Sequence, residues 1–335
     1  MTWGGDSIGN SFGSSGPEKP QSSEPAASRE GETIRISFMD MKREDIIAVI
    51  VAYFPDRDFS GRLDAILRQF DRVVIVDNAS AGESLAMIEN LCSSRDRLAM
   101  IRNDQNTGVA HALNQGCQYA LEQQYRWAVT FDQDTVVEDG YLQSMIDAVS
   151  MMENAGVGVI GCNYYEPNLG RNAVRNSRGP GWEERAVVIT SGSLLSLRAY
   201  RQVGGFRDDF FIDAVDEEYC LRCSAGGFRN FFVFKPLMVH SIGNMKDHFL
   251  FGCRSLKFVL HHHPSWRIYY FVRNNLILYG TYLFRKPSWV VPVAGARSIQ
   301  IVLILLFEED RLQKVRYLLW GVWDSITGNR GRQIP

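Results

Sequence analysis

The chain has 335 residues, 45% hydrophobic and 22% charged, a composition and length that suit a globular protein with one large or two modest domains. Its 36 basic and 38 acidic residues leave a formal net charge of -2, which excludes a bulk nucleic-acid binder. Six cysteines are scattered at 92, 117, 162, 220, 223 and 253, and Cys220 and Cys223 make one CxxC with no second pair and no histidines at zinc-finger spacing. They read as core or helix-face thiols of a reducing, cytoplasmic compartment.

Residues 1–33 are rich in Gly, Ser, Pro and Glu and have little to bury, so a disordered tail is drawn over 1–40. The start shows neither the apolar run nor the basic lead of a signal peptide. Ile46 to Phe54 is a continuous apolar run bounded by Pro55 and Asp56, as in a strand buried on both faces of a parallel sheet. Leu63, Ile66, Leu67 and Phe70 then recur at helical spacing. Val73 to Val76 is a second strand ending in Asp77, Asn78, Ala79 and Ser80, followed by a helix over 82–92. Leu98 to Arg102 is a third strand, Asn106 to Gly108 opens a helix carrying Val109, Leu113 and Cys117, and Trp127 to Phe131 is a fourth strand running into Asp132 and Asp134. This alternation predicts a doubly wound α/β fold with a mixed, mainly parallel sheet.

A helix over 138–153 and a strand from Val157 to Cys162 follow, then an irregular stretch over 163–186. Val187 to Thr190 reads as a strand leading into Ser191-Gly192-Ser193, Leu195 to Gly204 and 214–225 as helices, and Phe231 to Phe234 and Leu237 to His240 as further strands. From 249 the chain reads as helical, aromatic and sprinkled with arginine, so domains are drawn at 41–248 and 249–335. Ile299 to Phe307 is apolar but too short to span a bilayer, and Arg297 interrupts the run upstream, so a buried or membrane-lying helix is expected.

Ligands of open α/β sheets bind beyond the carboxyl ends of the strands, where Asp77, Asn103, Asn106, Asp132 and Asp134 fall. Asp132 and Asp134, two residues apart in FDQDT, repel each other unless a cation or proton intervenes. Paired hard oxygens suit Mg²⁺ or Mn²⁺, with phosphates and water completing the shell. His240, after the apolar segment FVFKPLMVH, is either a structural residue or a ligand. Asp213, Asp216, Glu217 and Glu218 crowd a helix start, with Asp213 the natural N-cap and Glu217 and Arg222 on the surface; spacing alone does not say which acid is a base. A glycine-rich dinucleotide turn and a P-loop are both missing, which disfavours a dehydrogenase or a P-loop enzyme.

The ordered set VVIVDNAS, IRNDQNTGVAHALNQG, FDQDT, SGSLLS, FIDAVDEEYCLR and VHSIG, extended by HHHPSWRIYYFVRNN, resembles the inverting glycosyltransferases of family 2, nearest their rhamnosyltransferase subgroup. The resemblance implies the GT-A nucleotide-sugar fold with a C-terminal helical extension. It also implies residue roles. Asp77 would recognise the nucleotide base, Asn106 and Gly108 would pack on the nucleotide, and Asp132 and Asp134 would hold metal and diphosphate, with Asp134 the more direct ligand. His240 would complete that site, Ser191 and Gly192 would floor the sugar or acceptor pocket, and Asp216 would be the base. Arg273 would contact phosphate or serve folding. Val215 replaces the first acid of the family's Glu-Asp pair, which leaves open a share of the role for Asp213. The implied donor is dTDP-L-rhamnose and the implied acceptor a cell-surface polysaccharide or lipid-linked glycan. Alternatives are UDP-galactofuranose or another UDP-hexose as donor, or an inactive glycan-binding relative. The C-terminal region would orient the acceptor, touch the inner membrane face or form a homodimer.

Overall fold

The computed structural model describes residues 41–152, 156–174, 181–241, 243–249, 257–262 and 264–330; the expected tail over 1–40 lies outside the described residues. The N-terminal half alternates strands and helices as the sequence predicts: β1 (Ile46–Ala52), α1 (Phe59–Leu67), β2 (Val73–Asp77), α2 (Gly82–Ser93), β3 (Leu98–Arg102), α3 (Val109–Glu122) and β4 (Trp127–Asp132). After the short β5 (Val136–Val137) come α4 (Tyr141–Met151), β6 (Val157–Glu166), β7 (Arg171–Asn172), β8 (Trp182–Glu184), β9 (Ser193–Ser196), α5 (Leu197–Val203), α6 (Val215–Ala225) and β10 (Arg229–Val239). These strands make one ten-stranded sheet with the path β3-β2-β1-β4-β9-β6-β10-β5, β7 pairing with β6 and β8 with β10.

Every residue of β1 is buried because both sheet faces are covered. Ile46, Ala48 and Ile50 pack into the layer with α1 and α4, while Ile47, Val49 and Val51 pack into the layer with α3, α5 and α6. The period of two in a strand makes this division. Each such side chain contributes roughly 1.5–3 kcal/mol by leaving water. On α3, Ala110, Leu113, Cys117 and Ala120 recur at helical spacing and turn inward.

Several expectations change, four of them in the plan of strands and helices beyond the small shifts that put Leu195 and Ser196 in β9 and strands β7 and β8 within 163–186. Val187 to Thr190 is not a strand. The chain turns at Ser191 and Gly192, Ser193 N–H closes on the Thr190 carbonyl, and β9 starts only at Ser193. The Thr190 carbonyl also accepts from the Thr130 hydroxyl at 2.6 Å. The two strands expected at 231–234 and 237–240 are one, β10, because the break suggested by Pro236 is absorbed as an irregularity in its pairing with β6. The buried Asn163 amide donates to the Phe234 carbonyl at 3.0 Å and supports the chain there. Helical character does not begin at 249: a two-stranded antiparallel sheet, β11 (Asn244–Phe249) and β12 (Lys257–His262), comes first, so the boundary drawn at 248/249 falls inside β11.

The helices then run as α7 (Ser265–Tyr282), α8 (Pro287–Phe307) and α9 (Arg311–Thr327). The fourth change is α8. It is continuous through Arg297, so it is long and apolar enough to cross a membrane, and little of it is buried. The five described cysteines are free thiols, none of them exposed.

Candidate active site at the carboxyl edge of the sheet

Register alone brings the first acids together. Parallel pairing sets Ala52 beside Asp77 of β2 and Val51 beside Asp132 of β4, so two carboxylates flank the end of β1. Two strand spacings separate them, roughly 10 Å. Asp77 is fully buried, and Ser80 N–H donates to both its carboxylate oxygens at 3.2 Å. Asn78 is the hub of the next loop. Its oxygen accepts from Asn103 Nδ2, Thr107 N and Thr107 Oγ1, and its amide donates to Asn106 Oδ1 and the Gly108 carbonyl. Asn106 Oδ1 also accepts from Gly108 N–H at 2.9 Å. Gly108 has φ +87, and a Cβ there would lie 2.6 Å from the Phe211 carbonyl oxygen, so only glycine fits.

Asp132, Asp134 and His240 form the second group. Their ligand atoms lie within 4.8 Å of one another. His240 Nε2 is 3.9 Å from Asp132 Oδ2, and its Nδ1 is 3.9 Å from Asp134 Oδ1. The fold makes this meeting because β5, two residues beyond Asp134, pairs antiparallel with the end of β10, which leads into His240. Burial raises the Asp132 carboxyl above its ordinary range and Asp134 adds to that, against the opposing charges of His240 and Arg267. Two carboxylates and an imidazole are a donor set that fits Mg²⁺ or Mn²⁺ and leaves half of a six-coordinate shell for phosphate oxygens and water.

Neighbours that the sequence reading missed set this turn. Tyr53 N–H donates to Gln133 Oε1 at 2.7 Å and Gln133 Nε2 returns to the Tyr53 carbonyl at 3.1 Å, bridging the ends of β1 and β4. Arg62 Nε donates to the Gln133 carbonyl at 2.8 Å. Ser191 Oγ accepts from Asp132 N–H at 3.2 Å and meets Thr135 Oγ1 at 2.6 Å. Gly192 has φ +66, and a Cβ there would strike Met238 Sδ at 2.4 Å. An amide between two aspartates was the available signal for Gln133; nothing local pointed to Arg62.

The third group surrounds the start of α6. Asp213 is not the N-cap. Ala214 is, in left-handed conformation with no side-chain cap, and Asp213 is held bidentately by Arg267 at 2.8 and 3.0 Å. Phe211, Asp213 and Ala214 all have positive φ, a strained run directly before the acids. Asp216, in the first turn, is half-buried. Burial first, and the Glu217 charge second, push its pKa up to about 7, with Arg297 opposing. Glu217 is not a free surface acid either: Arg297 of α8 grips it, with Nη1 2.9 Å from Oε2. Arg222 pairs with Glu218 at 2.8 Å and donates to the carbonyls of Val203, Gly204 and Gly205.

Arg273, expected either to contact phosphate or to serve folding, lies on α7. It is fully buried, and its guanidinium donates to Tyr269 Oη, Asn274 Oδ1 and the Asp209 carbonyl. Arg267 is the arginine whose charge reaches the carboxylates, bound to Asp213 and acting on Asp132 as well.

Residues 48–213 match the model of glycosyl transferase family 2. The chain is 27% identical over 309 residues, 86% of its length and 96% of the other's, to the dTDP-rhamnosyl transferase RfbF of Shigella flexneri. Among solved structures it is similar to the mannosyltransferase PcManGT of Pyrobaculum calidifontis in complex with GDP-Man and Mn²⁺, at TM-score 0.51 and 14% identity over 85% of this chain and 88% of that one. It is also similar to GalNAc-T7 with UDP, GalNAc and Mn²⁺, at TM-score 0.54 and 12% identity over 85% of this chain and 57% of that one. With its acids gathered at the ligand-binding edge of a mixed, mainly parallel sheet, the chain has the GT-A fold of nucleotide-sugar glycosyltransferases, and its residues 48–213 are those that match family 2.

Proposed function

We propose that the protein transfers a sugar, with inversion, from a nucleoside-diphosphate donor to a glycan hydroxyl. Asp132, Asp134 and His240 would hold a divalent cation, and Asp216 would be the base. The observation that carries this reading is the Asp132–Asp134–His240 cluster beside the end of β1, whose other flank carries Asp77. When bound, the cation offsets negative charge on the departing diphosphate. Asp77 and the Asn78-centred loop bind the nucleotide, Ser191 and Gly192 shape the pocket floor, and Arg267 adds a positive charge on the diphosphate side. Asp216 removes the acceptor proton as the acceptor oxygen bonds to the anomeric carbon and the carbon–phosphate-oxygen bond breaks. A carboxylate whose pKa lies near 7 is matched to that task. Asp213 does not share it, because Arg267 occupies both of its oxygens.

The relative named a dTDP-rhamnosyl transferase supports dTDP-L-rhamnose as donor. The fold does not choose, since proteins named with GDP-mannose and with UDP share it. Another donor, a UDP-hexose or UDP-galactofuranose, suits the same metal and base equally. A thermal-shift screen with dTDP, UDP and GDP, each with and without Mn²⁺, tests both levels. Metal-dependent stabilisation by one nucleotide is expected. A preference for GDP removes the rhamnose reading, and indifference to all three with Mn²⁺ removes the transferase reading.

A further inference from the structure

The exposed side of α8 is built for something other than water. Val291, Ile299, Val302 and Leu306 lie along one stripe, with Ile299 63% exposed. On α9, Leu312, Val315, Leu319, Trp323 and Ile326 recur every three or four residues and are also exposed, Trp323 at 66%. The two helices are joined by the three-residue turn 308–310, and both pack on α7. The opposite side of α8 belongs to the domain: Val290 and Ile304 are buried, and Arg297 reaches Glu217 and Asn275. The Arg297–Glu217 pair fastens α8 along the side of the domain, which favours a helix that lies on a surface over one that crosses it.

Charge selects the occupant. No Asp or Glu occurs from Pro264 to Phe307. The exposed charges at the start of α8 are Arg285 and Lys286, and those on α9 are Arg311 and Arg316; the exposed acids of this region are Glu309 and Asp310, in the turn. Two copies meeting through this face would bring basic rims together, whereas an anionic bilayer offers apolar chains to the stripes and phosphates to the rims.

We propose that α8 and α9 seat the enzyme on an anionic lipid surface, apolar stripes toward the acyl chains and Arg285, Lys286, Arg311 and Arg316 on headgroup phosphates. This deepens the proposed function and rests on it in one respect. The helix lying on lipid is the one whose Arg297 holds Glu217 beside Asp216, so an acceptor carried on lipid would arrive next to the base.

Co-sedimentation of the full chain with vesicles tests the seat without donor or acceptor, so its failure is separate from failure of the transferase reading. Vesicles of phosphatidylcholine with phosphatidylglycerol should bind the chain, and phosphatidylcholine alone should bind it less. Salt should weaken the difference. Leu319→Glu with Trp323→Glu should lower binding at least about tenfold, since both anchors lose their burial. Arg311→Gln and Arg316→Gln should each lower it about fivefold. Leu319, Trp323 and Arg316 are exposed, so their variants should melt as wild type does, whereas Arg311 also donates to the Leu306 and Glu308 carbonyls and its binding loss is read beside a melting curve. No binding to the anionic vesicles at low salt overturns the proposal. So does unchanged binding of the Leu319/Trp323 variant, or a lipid-free dimer that the same substitutions dissociate.

Discussion

The acids at the ends of β2 and β4 are held by their sheet neighbours, whereas the acids before and at the start of α6 are held by arginines 54 and 80 positions further along the chain. At the sheet edge, ladder register, the Gln133 bridge and the Asn78 hub fix the carboxylates through backbone and uncharged amides. At α6 the backbone is strained, and Arg267 and Arg297 neutralise Asp213 and Glu217, leaving Asp216 as the acid with no arginine hydrogen-bonded to it among the described residues. An acid left in that position has a raised pKa and is available for proton transfer; an acid clamped by arginine is not.

The largest expected break between the two regions is Asp216→Asn. Turnover should fall about 10²–10⁴-fold with donor affinity unchanged by calorimetry; retained turnover would sink the base assignment. Wild-type turnover should rise with pH through about 7, because only the ionised carboxylate accepts a proton. The stability sign follows from the same shift. A carboxyl whose pKa is raised from 3.8 to about 7 on folding contributes stability at low pH that is lost as pH climbs between those values. Melting curves should therefore show Asp216→Asn matching wild type near pH 4 and exceeding it at pH 8.

Asp134→Ala acts on the other region. It should cut Mn²⁺-dependent nucleotide affinity by more than the roughly tenfold that even outer-shell changes cause, and leave the metal-free affinity alone. Equal nucleotide affinity with and without Mn²⁺ in wild type would refute the metal site. Gly108→Ala lies where the regions touch, since Gly108 abuts Phe211 and Val109 N–H donates to the Phe211 carbonyl at 2.7 Å. Overpacking at a backbone conformation near-exclusive to glycine should cost about 2–4 kcal/mol, read by denaturant titration. Arg267→Ala should cost only about 1 kcal/mol, because the pair is partly exposed, and adding Asp213→Asn should recover most of it.

This contrast also explains what the sequence could reveal. The strands β1 to β4 are continuous apolar runs closed by polar residues, so both the sheet and the acids beyond it were legible from composition and order. Residues 187–190 are equally apolar, but hydrogen bonds from the Thr130 and Ser193 side chains hold them, and no local pattern announces that. Arg267 and Arg273 stand on one helix about 120° apart around its axis, so helical phase decides which enters the core and which meets Asp213. That phase depends on how α7 docks. Likewise, Glu217 looked solvated because its partner lies in an apolar stretch that seemed interrupted rather than bracketed by Arg297.

One further consequence lies in the counting of β10. From Val233↔Cys162 to Val239↔Tyr165 the strand advances six residues while β6 advances three, a surplus of three around Pro236. At even pitch, position 236 would pair with Tyr165, and Leu237 would come next in place of His240. The imidazole thus reaches the two aspartates through slack taken up by a proline and an asparagine. Evening the pitch with every residue kept would leave the barren side chain of a leucine at the mouth of the ion's cradle, whereas excising the three surplus residues would return the imidazole to it.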